Sequence, residues 1–395
     1  MTTVYLKELV KRKIGYGIVQ PGDSRALSIP VIKVNNIISG LNNIDALDKT
    51  THAISQKFSR TVLRGGELLV SVVGTIGKTA IVPLSFSGCN IARAVAMIDI
   101  QDPILALWVK YYIDSPQGQA YIIENLNTTV QATLNIKDLE NMPVPLFDRS
   151  QLEQRVAVLR SLDDKITLNN RINHNLEQQA HALYKSWFVD FEPFKDGKFA
   201  DSEFGPIPDG WRVGSIYEIC DVYYGAPFNS TLFNSEKKGL PLIRIRDLVK
   251  QVPGVFTEET HPKGQLTNRG DILVGMDGEF SIHVWGGVPS WINQRISRFI
   301  PKRGVGHFFL SETLRPQLKA VESSEVATTV IHIGKNDYDK FLSIIPTQNV
   351  LESFYYLSEP LFLQYVENLL GNQVLSESRD ALLPRLMSGI VHFDC

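Results

Sequence analysis

The chain of 395 residues is poor in cysteine: Cys89, Cys220 and Cys395 lie far apart and form no C-x-x-C pair. That spacing excludes a disulfide scaffold and a zinc cluster, and it suits a reducing compartment. An excess of charge is also lacking, with 40 Lys and Arg against 42 Asp and Glu for a formal net charge of −2. Nothing global therefore advertises nucleic acid, and any such binding has to come from local patches. No window of about 18 apolar residues offers a membrane span. The opening MTTVYLKELVKRK has no apolar centre of signal-peptide length, so a cytoplasmic protein is expected.

Catalytic signatures are missing too. An adenine methyltransferase needs a [DN]-P-P-[YF] turn to hold a flipped base, and the chain has none. His174, His181, His261, His283 and His332 show no metal-ligand spacing, so no metal site is expected. Asp277 and Glu279 in GMDGEFS lack a following lysine and a third acid, and read as solvated acids in a turn. The stretch VVGTIGKTAIV (Val72 to Val82) approaches a phosphate loop, but its first glycine position holds Val72. AIVPL then has a strand's composition where a phosphate loop must open a helix. A nucleotide hydrolase using Lys78 is thus the disfavoured reading.

What the chain does contain is a repeat. IPVIKVNNI (Ile29 to Ile37) returns as LPLIRIRDL (Leu240 to Leu248), and RGGELLVSVVG (Arg64 to Gly74) as NRGDILVGMDG (Asn268 to Gly278). NIARAVAMI (from Asn90) is echoed by NQRISRFI (from Asn293), and TTVQATLNIKDLENMPVP (from Thr128) by TTVIHIGKNDYDKFLSIIP (from Thr328). Four blocks keep their order about 200 residues apart, which marks a duplicated domain. Aligned without gaps, Gly74 meets Gly278 while Lys78 meets Ile282; the shared element is a tight turn between strands, not a phosphate site.

Each copy is followed by a helical segment. Ser150 and Glu153 read as a capping box. From there to Trp187 there is no proline or glycine, enough for a rod of roughly 60 Å at about 1.5 Å per residue. Leu152, Val156, Leu159, Ile166, Leu176, Ala180, Leu183 and Trp187 recur at helical spacing, with Asn169, Asn170 and Asn173 in the middle. The last segment repeats the design with Phe354, Leu357, Leu361, Leu375, Leu382 and Leu386 around Asn368 and Asn372; Pro360 either starts a new helix or kinks this one. Asparagines at matching depth suggest a coiled-coil pair whose register they fix; a solvated face on two unrelated helices is the alternative.

At this point the chain resembles the specificity subunit of type I restriction-modification enzymes, over essentially its whole length. The likeness is carried by LNIKDLENMPVP, by QLEQRVAVLRSLDDKITLNNRINHNLEQQAHALYKSWFVDF (Gln151 to Phe191) and by IPDGWRVGSI (Ile207 to Ile216). LLPRLMSGI (Leu382 to Ile390), GTIGKTAIVP and INQRISRFI add to it. The resemblance implies an α+β fold with two duplicated target-recognition domains, separated by two long antiparallel coiled-coil helices in pseudo-twofold arrangement. The expected boundaries are 1–148 for the first domain, 149–190 for the central helix, 191–212 for a boundary loop, 213–346 for the second domain and 347–395 for the C-terminal helix. It further implies a subunit without catalysis that reads a split site in double-stranded DNA. Two methyltransferase subunits and the restriction and translocase subunits would dock on it. S-adenosylmethionine, ATP and magnesium would belong to those partners, and no cofactor to this chain. A solitary or vestigial specificity chain of a related defence system, or a scaffold without DNA function, are the rival readings.

Base reading calls for Arg toward guanine and for Asn or Gln toward adenine, while Lys, Arg, Ser and Thr position phosphates. Where strands give way to loops, the first copy offers Lys33, Asn35, Asn36, Thr75, Lys78, Arg93 and Gln131, with Thr129 and Asn135 as turn candidates. The second offers Arg244, Arg246, Asp247, Asn293, Gln294, Arg295 and Lys335. Tyr16, Tyr223 and Tyr224 are candidates for packing on the sugar-phosphate backbone. Lys33 and Arg244 equally fit the wet face of a half-buried strand. Residues that differ between the copies are the better candidates for sequence reading, because two domains should read different half-sites.

Overall fold

A computed structural model of the chain describes residues 1–20, 28–127, 132–324 and 331–391. The fold is α+β, and it divides into two compact units, one of Met1–Asp164 with Ser376–Cys395 and the other of Lys165–Leu375.

In the first unit a four-stranded antiparallel sheet runs in the order Arg12–Tyr16, Val95–Asp99, Leu68–Ser71, Thr79–Ile81. A three-stranded sheet lies in the order Asp48–Thr50, Ile29–Ile32, Asn90–Ile91, with the last two parallel. Thr2–Tyr5 pairs with Pro143–Leu146. The second unit repeats all three. Cys220–Tyr224, Ile296–Pro301, Ile272–Gly275 and Ile282–Val284 form the four-stranded sheet. Val255–Thr257, Leu240–Ile243 and Trp291–Ile292 form the three-stranded one, and Arg212–Ser215 pairs with Leu342–Ile345.

The stretches Leu68–Val70 and Ile272–Val274 are apolar because both faces of their strands are covered. Leu68 and Val70 pack into a core with Trp108 and Val109 of the helix Pro103–Asp114. Leu69, between them, points the other way with Ile32, Phe86 and Ile91. The second unit does the same: Ile272 and Val274 meet Phe309 and Leu310, whereas Leu273 joins Ile243 and Trp285. An acid opens each of these strands. Glu67 accepts from the Arg64 backbone N–H and pairs with Arg12, and Asp271 accepts from Asn268 N–H and pairs with Arg298.

Superposing hydrogen bonds fixes the repeat's register, with two corrections to the alignment read from sequence. Ile32 O accepts from Ala92 N at 2.9 Å and Ile243 O from Asn293 N at 3.0 Å, so Asn293 matches Ala92 and not Asn90. Asn90 is fully buried and holds Thr61 and Ser55 instead. Val70 pairs with Thr79 and Val274 with Ile282, which puts Lys78 opposite Ser281 rather than Ile282. Gly74 and Gly278 do match, with φ of 78° and 80° that L side chains resist.

Two 40-residue helices follow the two copies, Arg149–Phe188 and Gln348–Met387. The first is capped two residues before the capping box that its sequence suggests. Asp148 accepts from Gln151 N–H at 3.0 Å, so Ser150 lies inside the helix and Glu153 turns to Arg149. The second runs unbroken through Pro360. Leu357, counted on its apolar stripe, is exposed, and Ser358 takes the buried place beside it.

Within each unit the helices run antiparallel. In the first, Leu152, Val156 and Leu159 share a core with Leu383, Leu386 and Met387. Buried Arg155 donates to Leu386 O at 2.9 Å and to Val391 O at 3.0 Å. In the second, Phe188 lies against Phe309 and Phe354, each with centroids 4.8 Å away. Here Asn169 donates to Asn372 at 2.9 Å, Asn372 to Asn170 at 2.7 Å, and Asn368 to Asn173 at 2.8 Å.

Candidate nucleic-acid interface

The polar candidates gather where the central strands end. In the first unit the parallel strands Ile29–Ile32 and Asn90–Ile91 stop side by side, delivering Lys33 and Arg93. Ile91 O accepts from Ile18 N at 2.7 Å and Ile18 O from Arg93 N at 2.8 Å, which ties the end of the first strand to the same edge. Gly17 makes this approach possible: a Cβ there would sit 1.8 Å from Ile91 O. Ala94 O then accepts from Val72 N, and Val72 O from Leu134 N, so the turn 72–78 and Asn135 join the edge. The second unit uses the same bonds. Gly225 is pressed against Asn293 O, Arg295 O accepts from Met276 N at 2.9 Å, and Met276 O accepts from Ile333 N at 3.0 Å.

Not every candidate side chain faces outward. Asn36 and Asp247 both close the first turn of a short helix, accepting from the backbone N–H of Lys33 at 2.7 Å and of Arg244 at 3.0 Å. Asp247 is buried and also holds the Arg244 guanidinium at 2.9 Å. Lys33 pairs with Asp48, and Lys335 with Asp339. Asn135 starts a helical turn and bonds Asp138. Asn35, Thr75, Lys78, Arg93, Arg246 and Gln294 are exposed, and among the described residues their side chains make no hydrogen bond or ion pair. Asn293 is half-buried. Gln131 and Thr129 lie outside the described residues. Tyr16 and Tyr223 are exposed; Tyr224 is half-buried, and burial raises its phenol above the ordinary range.

One cluster is invisible in the sequence. Arg295 Nη1 donates to both carboxylate oxygens of Asp277, at 2.8 and 2.7 Å, and His332 Nδ1 meets Asp277 Oδ1 at 2.7 Å. Asp277 is therefore not a freely solvated turn acid. The signal that could have exposed it is the repeat itself, since the matching positions in the first unit are Val73, Ala94 and Thr133.

Cys89 and Cys220 are buried, and burial pushes their thiols up to about 11 and about 12, far from nucleophilic use. His181 and His307 are tied to Glu312 and Glu359. Among the described residues no group of three or more His, Cys, Asp or Glu could hold a metal ion. Nor is any helix among them long and apolar enough to cross a membrane.

Comparison with known proteins adds the following. Residues 2–178 match the family model of the type I restriction modification DNA specificity domain. The specificity subunit of the type I restriction enzyme MjaIX from Methanocaldococcus jannaschii is 27% identical over 360 residues, covering 86% of this chain and 81% of the relative. That of EcoBI from Escherichia coli is 34% identical over 181 residues, 44% of this chain and 38% of the relative. Among solved structures, the type I restriction-modification S subunit from M. genitalium covers 98% of this chain and 95% of its own length, at 14% identity and a TM-score of 0.48.

Proposed function

We propose that the chain is a type I restriction-modification specificity subunit, a reading supported by the match of residues 2–178 to that DNA specificity domain, and that it reads a split DNA site, one half with each copy of its repeated domain. The observation that carries this is the repeat's division of labour. Strand order and backbone bonds at the recognition edge are kept, while the side chains placed there differ: Ala92, Arg93 and Ala94 stand where the second copy has Asn293, Gln294 and Arg295. Two readers built on one frame but carrying different polar groups suit two different half-sites.

The polar groups serve binding and no chemistry is assigned to them. The turn 72–78 leads into the strand Thr79–Ile81, so no helix N-terminus is available for a phosphate, and the near-miss phosphate loop becomes a loop for DNA. Methyl transfer, ATP-driven translocation and cleavage then fall to partner chains, with S-adenosylmethionine, ATP and magnesium bound there. Two methyltransferase subunits and the restriction subunits dock on this chain, which works in the cytoplasm. The two long helices set the number of base pairs between the half-sites. With a net charge of −2 the isolated chain binds DNA weakly, and its partners complete a basic clamp.

Mapping adenine methylation in a host that expresses the chain with its methyltransferase tests the reading. A motif of two short specific halves around an unspecified spacer is expected; a single uninterrupted motif overturns it.

A further inference from the structure

The recognition edge of the second unit carries a device that the first unit lacks. Arg295 is fixed at one nitrogen only: Nη1 bridges both oxygens of Asp277. Its Nε and Nη2 make no hydrogen bond among the described residues, and the side chain is 52% exposed. Asp277 Oδ1 is also met by His332 Nδ1 at 2.7 Å, and a backbone bridge joins residues 277 and 332. The carboxylate is 23% exposed, so the pair is screened less than a free surface ion pair.

An exposed arginine normally loses rotamer entropy when it meets its target. A guanidinium already braced by a carboxylate has lost much of that freedom before binding, and its free edge is a planar pair of N–H donors. Such an edge matches the O6 and N7 acceptors of guanine in the major groove. The three positions correspond to Val73, Ala94 and Thr133 in the first unit, none of which can donate or accept a paired bond to a base in this way. The cluster therefore distinguishes the two readers at one backbone position.

We propose that Arg295 reads a guanine in the half-site of the second unit, and that Asp277 and His332 are positioning residues that hold the guanidinium for it. The inference rests on the split-site reading above and deepens it. The sequence offers Arg295 as a DNA contact but not its bracing, since Asp277 and His332 stand 55 residues apart.

The test uses the complex of the full chain with its methyltransferase, on the DNA motif mapped for the unaltered protein. Arg295→Ala relaxes one guanine position of one half-site, with discrimination there falling about 10-fold or more, as expected for loss of a bidentate contact worth roughly 1–3 kcal/mol. Asp277→Asn relaxes the same position to a smaller extent, and adds little when combined with Arg295→Ala. Replacing that guanine by 7-deazaguanine weakens binding of the unaltered complex and leaves the Arg295→Ala complex unaffected. Arg295→Lys does not restore discrimination, because an ammonium has no fork. The proposal is overturned if Arg295→Ala weakens binding equally on all sequences with a smaller salt slope, the mark of a phosphate contact; the split motif would then persist. It is also overturned if Asp277→Asn abolishes the whole second half-site, the mark of a folding defect. If the unaltered complex methylates an uninterrupted motif, the split-site reading fails first and takes this inference with it.

Discussion

Asn368 donates its amide N–H to Asn173 Oδ1 at 2.8 Å, and both side chains are buried between antiparallel helices of the second unit. Asn173 in turn donates to Tyr365 O at 3.1 Å, and Gln364 donates to Asn368 Oδ1 at 3.0 Å. Losing one member leaves the other unsatisfied, so Asn368→Leu should destabilise the chain by about 1–3 kcal/mol in denaturant titration. The double change Asn173→Leu with Asn368→Leu should recover most of that loss. It should also relax helix register, seen as mixed oligomers or several cross-linking patterns. A double variant less stable than either single one would contradict the account.

Gly17 and Gly225 occupy one position of the repeat, and each lets a strand end touch the backbone of its neighbour. A Cβ would come within 1.8 Å of Ile91 O in one case and 2.1 Å of Asn293 O in the other. Either alanine substitution forces the edge apart, at a cost of roughly 1–3 kcal/mol. Methylation mapping should show the damage confined to one half-site, a different half for each variant. Equal relaxation of both halves by Gly17→Ala would argue that the units do not read separately.

Lys78 is exposed in a turn that leads into a strand. The unaltered chain is expected to bind no ATP in equilibrium dialysis. Lys78→Ala should weaken DNA binding about equally across sequences and lower the salt slope by about 1, as for one lost phosphate contact. Nucleotide binding that disappears in Lys78→Ala would restore the phosphate-loop reading.

Much of the frame was legible because its signals are local. Paired glycines at 74 and 278 mark turns with positive φ, and the absence of breakers from Ser150 to Trp187 marks a helix. The errors came where two neighbouring residues compete for one local bond, or where longer-range bonds decide. Asp148 outcompeted Ser150 as the cap because it precedes the helix and reaches Gln151 N–H. Asn90 and Asn293 looked equivalent by letter, yet one is locked inside on Thr61 and the other stands at the edge. Side-chain commitments were hidden as well: Asn36 and Asp247 turn back to the backbone at 33 and 244, and Asp277 finds Arg295 and His332 only once the sheet has formed.

The central claim is that helix length sets the distance between two DNA half-sites. Both helices pass from one compact unit to the other, at 164–165 and at 375–376. Inserting four helix-forming residues at both places adds close to one turn, about 6 Å of rise, which equals about two base pairs at roughly 3.4 Å each. Methylation mapping of the altered complex should return the same two half-motifs with a spacer longer by about two base pairs. The same halves at the original spacing would contradict the account.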